Sequence, residues 1–342
     1  MRRRRFLGRA AATVALAGSA RAELPAVLQR PALQAARAPE AAMLAVARAG
    51  RRLVAAGERG IVLTSDDEGR RWSQAQVPVQ VSLTALQFAD ARRGWAAGHL
   101  GALLATTDGG ATWSLQLDGA QAARFTFLAG VDANQHSIVP RLMQDGLDKP
   151  LFDIAEQDGH VLAVGAYGLA FEMVPGGTGW APFAQRLPNP RRLHLYGVCR
   201  IGDSVFIAGE QGLLLRSDDR GGSFEVLRPP YKGSFFGVLA TRGGALLAFG
   251  LRGTLIRSGD LGSNWSAVDS GAPVSLIAGI ERDDGSLLLL AQNGDLLISR
   301  DNGRKFVRRP AEHSFPAAAL AATGSGALVL AGLHGLKRME IT

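Results

Sequence analysis

The chain has 342 residues, 47% of them hydrophobic and 43 of them glycine, which is enough for one large closed domain with no second domain required. Its formal charge of +8 points toward nucleic acid, yet six of the 38 basic residues stand in the first 22, a stretch without acid, leaving 32 basic against 30 acidic residues. That near-neutral remainder removes the electrostatic ground for nucleic-acid binding, and a single cysteine, Cys199, excludes an internal disulfide and reads as a small core residue.

Residues 1–22 have the order of an export signal: Arg2 to Arg5 with Phe6-Leu7, an alanine-rich stretch from Ala10 to Ala17, and the small-residue exit Ala20-Arg21-Ala22. The expectation is twin-arginine export to the periplasm with cleavage after Ala22, the general secretory route being the alternative. The apolar stretch is short for a stable membrane span, so an uncleaved anchor is the lesser reading.

Residues 23–342 read as one repeat domain. The second glycine of a hairpin recurs at Gly60, Gly101, Gly168, Gly212, Gly253, Gly294 and Gly335, with spacings of 41, 67, 44, 41, 41 and 41 residues. Seven places on stand Asp67, Asp108, Asp219, Asp260 and Asp301, and twelve places on Trp72, Trp113, Trp180, Phe224, Trp265 and Phe306. The turn pattern is Ser/Thr-x-Asp-x-Gly-x-x-aromatic. The carboxylate accepts backbone N–H groups, the glycine takes positive φ, and the aromatic plugs the outer strand into place. The third unit is degenerate, with Met173 and Pro175 in place of hydroxyl and Asp, but Gly177 and Trp180 stay in register.

Ahead of each hairpin lies a pair of short apolar runs, among them Leu83–Phe88 with Trp95–Ala97, Leu151–Ala155 with Val161–Val164, Leu195–Val198 with Val205–Ala208, and Phe235–Leu239 with Leu246–Phe249. Such runs, bounded by turn residues and free of helical period, predict strands buried on both faces. A period near 40 residues in strand-rich sequence predicts an all-β, seven-bladed β-propeller with structural Asp-box repeats. The seventh unit stops at Thr342, where its Asp would stand, so residues 24–36 are expected to supply that blade's outermost strand and close the ring.

In a four-stranded antiparallel blade, the hairpin between second and third strands and the connection to the next blade share one rim. That rim carries the residues that vary from unit to unit: Arg59, His99, Tyr167 and Arg252 in the hairpins, and Arg191, Arg192, Tyr231 and Lys232 in connections. It also carries the one length anomaly, an insertion at about 121–149 with Arg124, Phe125, Phe127, His136, Arg141 and Asp145. A cationic, aromatic-bearing face of this kind suits an acidic or amphipathic partner segment.

Asp boxes also occur in sialidases and other glycosidases, which need paired carboxyl groups or a tyrosine nucleophile with an arginine cluster. The rim offers Glu58, Glu210, Asp145, Asp148 and Glu312 on different units, so a carbohydrate-active enzyme is the second reading. The six histidines form no ligand pair; His99 and His334 share the rim, but no metal or other cofactor is expected.

The segments Arg93 to Gly101 with Thr106 to Trp113, Val164 to Gly168, and Tyr231 to Gly237 with Phe249 to Gly253 give the chain a further likeness. Over about 41–342 it resembles the photosystem II stability and assembly factor family, exported or lumenal seven-bladed propellers with many relatives in non-photosynthetic bacteria. The resemblance implies a non-enzymatic, monomeric assembly factor that holds a membrane-protein subunit on an arginine-bearing surface. In family relatives the partner is a photosystem II subunit; here it would be an envelope or membrane protein such as a transporter.

Overall fold

The computed structural model describes residues 25–122, 148–173 and 179–341. The signal segment 1–22, most of the insertion and the degenerate turn around Pro175 lie outside them. Seven antiparallel sheets follow one another along the chain, six of four strands and the last of three. The first strands run Met43–Ala49, Leu83–Phe88, Leu151–Gln157, Leu195–Ile201, Phe235–Ala240, Leu276–Glu281 and Ala317–Ala322, and each packs beside the next, the seventh returning to the first. The architecture is the expected seven-bladed, all-β propeller, with these strands forming the inner ring.

The second strand of each blade is the most deeply buried. Leu287–Ala291 is at most 1% exposed throughout, as expected for a strand covered by blades on both sides. Side chains alternate between the two seams, so the core is a circle of inter-blade layers: Leu162 and Val164 meet Leu195 and Val205, while Leu247 and Leu289 share the next layer but one. Between blades 4 and 5 the inner strands approach so closely that a Cβ on Gly197 would lie 3.0 Å from the Gly237 Cα.

The Asp turns are closed as the sequence predicts. Asp67 accepts the Arg71 N–H at 2.8 Å, Asp219 the Ser223 N–H at 2.9 Å, Asp260 the Asn264 N–H at 2.8 Å, and Asp301 the Lys305 N–H at 3.0 Å. Asp108 accepts the Thr112 N–H at 3.0 Å. Backbone donors hold the carboxyls of Asp67, Asp260 and Asp301 below the ordinary range, and the Ser217 hydroxyl does most to lower that of Asp219. The aromatic of each turn reaches the seam with the preceding blade: Phe224 stacks on Phe183 with centroids 6.0 Å apart. Arginines also clasp the next blade's turn, Arg52 bonding the Gly109 carbonyl, Arg257 that of Asn302 and Arg338 that of Glu68.

One expectation is corrected. Residues 24–36 do not complete the seventh blade, whose sheet ends among the described residues at Gly335–Met339. The stretch from Pro25 runs instead as a strap along residues 74–80: the Ala32 N–H donates to the Val77 carbonyl at 2.9 Å, and the Gln80 N–H donates to that of Val27 at 2.7 Å. Gln34 and Gln74 add bonds to the Ala75 and Leu33 carbonyls. Leu28 and Ala32 bury against Val77 and Val79. The ring closes side to side, through Ala38 and Met43 packed with Ala321 and Val329, and through Glu68, which accepts the Ser325 N–H at 3.0 Å and its hydroxyl at 2.6 Å.

Candidate functional site

In six blades the second strand ends in a glycine that lets the chain pass close to the start of its own first strand, and in blade 6 it ends at Ala291. A Cβ on Gly57 would lie 2.1 Å from the Ala42 carbonyl oxygen, and one on Gly209 2.4 Å from that of His194. The residue after the glycine donates its N–H to that same carbonyl: Glu58 to Ala42, His99 to Ser82, Ala166 to Pro150, Glu210 to His194, and Leu251 to Ser234. Hairpins and inter-blade connections are thereby fixed on one rim, as the strand count requires.

Five hairpins turn through a non-glycine residue in the left-handed region: Arg59 at φ 54°, Leu100 at 56°, Tyr167 at 55°, Gln211 at 54° and Arg252 at 57°. L-residues in this region carry roughly 1–2 kcal/mol of strain, and asparagine or glycine would carry less. Retaining Arg, Leu, Tyr, Gln and Arg there displays five different side chains at equivalent places. The N–H groups of Tyr167, Gln211 and Arg252 are capped by His194 Nδ1 and by the hydroxyls of Ser234 and Ser275, each just ahead of the next inner strand.

The predicted residues divide into sectors. Arg59 and His99 are exposed on blades 1 and 2; Arg59 stands 4.0 Å from Glu58. Tyr167, 55% exposed on blade 3, packs against His194 at 4.6 Å between centroids and lies under the Lys149 ammonium, 5.8 Å from its ring centre. Arg191 is exposed and Arg192 half-buried in the connection from blade 3 to blade 4, where a Cβ on Gly168 would lie 3.7 Å from the Arg192 Cα. Lys232 and Arg252 are exposed over blades 4 and 5. Tyr231 has a packing role: its hydroxyl donates to the Leu251 carbonyl at 3.3 Å and its ring meets Phe235 edge-on at 5.4 Å.

Two of the rim's carboxylates are spent on backbone. Glu58 accepts the Ala42 N–H at 3.1 Å and Glu210 the His194 N–H at 3.1 Å, an equivalent capping role in two blades. They sit on separate units rather than as a catalytic pair. Among the described residues no group of three or more His, Cys, Asp and Glu side chains is placed to hold a metal ion. A cavity of about 490 Å³ does open between blades 3 and 4, lined by His160, Glu172, Arg186 and Arg200. Its Arg186 is engaged by Glu172 and bonds the Gly221 carbonyl at 3.1 Å, making it another clasp of the kind that joins the other blades.

Sequence reasoning did not select His194, Lys149 or the inner-strand aromatics Phe152, Tyr196 and Phe236 as site residues. It also passed over Asp153, whose carboxylate accepts the Val198 and Ile154 N–H groups, both at 2.9 Å. The available signal was an acid in a strand position where the other blades hold only alanine or glycine: Ala45, Ala85, Gly197, Gly237, Ala278 and Ala319. Asp153 is half-buried as a residue, and the withdrawal of its carboxyl from water pushes it up to about 7, against the pull of its two amide donors. Cys199 is half-buried and its thiol, pushed up to about 12 by burial, is unreactive, in keeping with a core role.

Comparison with known proteins places this geometry. The family model described as photosynthesis system II assembly factor YCF48 matches residues 64–139 and 133–305. No curated protein matches the sequence. Among solved structures, "YCF48 bound to D1 peptide" superposes with a TM-score of 0.65 at 16% identity, covering 92% of this chain and 99% of that one. YCF48 from Cyanidioschyzon merolae gives 0.63 at 14%, covering 88% and 96%. The WD40 propeller domain of Doa1 gives 0.64 at 9%, covering 87% and 92%, a likeness of fold.

Proposed function

This chain belongs to the photosynthesis system II assembly factor YCF48 family, and from that premise we propose that it is an exported, monomeric, non-enzymatic assembly factor. It holds a segment of an envelope or membrane protein on the hairpin rim in the periplasm. The observation that carries the reading is the contrast between the two rims. On one, the Asp-turn carboxylates are bonded within their own turns. On the other, strained hairpin tips display Arg59, Tyr167 and Arg252 beside exposed Arg191 and Lys232, and apolar Leu333 stands 57% exposed. Cations with apolar neighbours in a water-facing ring suit an acidic or amphipathic segment. A solved YCF48 structure is bound to a D1 peptide, and a peptide of a membrane protein is the kind of partner proposed here. In a cell without photosystem II, a transporter subunit would fill that place.

Crosslinking in the native envelope, followed by identification of the captured proteins, tests the reading. Charge reversal at Arg191, Lys232 and Arg252 is expected to weaken capture, most at low salt, with the unfolding midpoint unchanged. Capture indifferent to all three reversals would remove the rim from consideration.

A further inference from the structure

All seven inner strands carry the same irregularity at their hairpin end. The ladder skips one residue in each blade: Leu44, Thr84, Phe152, Tyr196, Phe236, Ile277 and Ala318. A bulge of this kind frees a side chain from the pairing pattern and re-aims it. The seven residues are all half-buried, at the rim end of the inner ring. The repeat supplies its own control, because blades 2 and 7 hold threonine and alanine at this place and form the same sheet. The fold therefore does not require an aromatic ring there.

Three consecutive blades nevertheless carry one. Phe152 lies 5.5 Å from Tyr196 between centroids, and Tyr196 meets Phe236 edge-on at 5.4 Å. His194 extends the group outward, 6.2 Å from Phe152 and 5.9 Å from Tyr196, and hands it on to the exposed Tyr167. The result is an unbroken aromatic wall from the outer rim to the inner ring over blades 3 to 5. On the same rim over blades 3 to 5 stand exposed Arg191, Lys232 and Arg252, and Lys149, which pairs with Asp148; Glu210 there accepts the His194 N–H.

We infer that the wall formed by Phe152, Tyr196 and Phe236 is a specificity pocket that takes an aromatic side chain of an extended acidic partner segment. This rests on the protein-binding reading above and adds what the segment must carry. Rings whose faces and edges are offset to one another favour another ring in the same geometry. The cations beside them favour carboxylates to either side of it.

Selection from a random-peptide library tests this. The full protein is expected to enrich acidic peptides that share one aromatic position. Phe236→Ala and Phe152→Thr, which install residues other blades already use, should keep the unfolding midpoint and continue to enrich acidic peptides without the aromatic requirement. For one enriched peptide, replacing its aromatic residue by alanine should weaken binding about tenfold to the wild type, and much less to Phe236→Ala, a coupling that a merely structural role for Phe236 would not produce. Acidic peptides without an aromatic preference from the wild type would overturn the pocket and leave the protein-binding reading standing. No enrichment of any peptide would overturn both. Enrichment only after deletion of residues 123–147 would assign the wall to the chain's own insertion and overturn the pocket as a partner site.

Discussion

Asp153 should cost this protein more stability at neutral than at weakly acid pH. Its carboxyl holds a proton up to about 7 in the folded chain, against an ordinary value of 3.8. Because the folded state binds that proton more tightly than the unfolded chain does, the stability Asp153 contributes is greatest below about pH 4 and falls as the pH rises toward about 7, where the loss is complete; the Asp-turn carboxyls, held low, act in the opposite sense in acid. At about 1.4 kcal/mol per pH unit, the ceiling on the loss is about 4 kcal/mol, and half of that would still change the unfolding constant about thirtyfold. Asp153→Ala is the control, since alanine is what blades 1, 2, 6 and 7 hold at this place. Urea unfolding followed by tryptophan fluorescence from pH 4 to 8 should show the difference between variant and wild type moving by about 2–4 kcal/mol in favour of alanine as the pH rises. Parallel profiles would refute a withdrawn carboxyl at this position.

Five further outcomes follow from single positions. Trp113→Phe, which loses a 3.0 Å bond from Nε1 to the Gly110 carbonyl, should cost about 1–2 kcal/mol in chemical denaturation. Trp265→Phe should stay within about 0.5 kcal/mol of wild type in the same assay, because that buried Nε1 has no partner and Phe224 and Phe306 fill the equivalent place. Ser217→Ala removes a buried hydroxyl that donates to Asp219 at 2.7 Å and accepts from the Gly221 N–H at 2.8 Å, for an expected loss of about 1–2 kcal/mol. Gln211→Asn should raise stability by about 0.5–1 kcal/mol by easing the left-handed turn, and Leu28→Ala should lower it by about 2–3 kcal/mol by loosening the strap; thermal midpoints read both.

The blade count was legible because one turn chemistry recurs at a fixed period. Asp108 and Asp260 need the same donors four residues on, and selection for that turn writes the repeat into the sequence. The placement of the rim followed from strand parity alone. The site itself was only half legible. Exposed Arg252 and Tyr167 stand out where the repeat stops repeating, but Phe152, Tyr196 and Phe236 are read as ordinary strand aromatics until the register slip beside them is seen. Tyr231 failed in the opposite direction, since a tyrosine in a proline-bearing loop looks available and its hydroxyl is already given to the Leu251 carbonyl. The strap was misplaced because counting back from Met43 assigns residues 24–36 to an open edge, whereas the apolar surface of Val77 and Val79 decides where Leu28 and Ala32 go.

Side-to-side closure has a consequence for how the ring is made. Among the described residues no strand is exchanged between the ends, so each blade is one continuous piece of chain and can form as soon as its own stretch of about 40 residues is available. Most contacts are then local or between successive units, which favours rapid, sequential growth. The seam between blades 7 and 1, with Glu68 joined to Ser325 across 257 positions, is the exception and comes last. Until it forms, the growing arc presents two apolar flanks to whatever surrounds it, and any chaperone that meets the chain in that interval meets those flanks first.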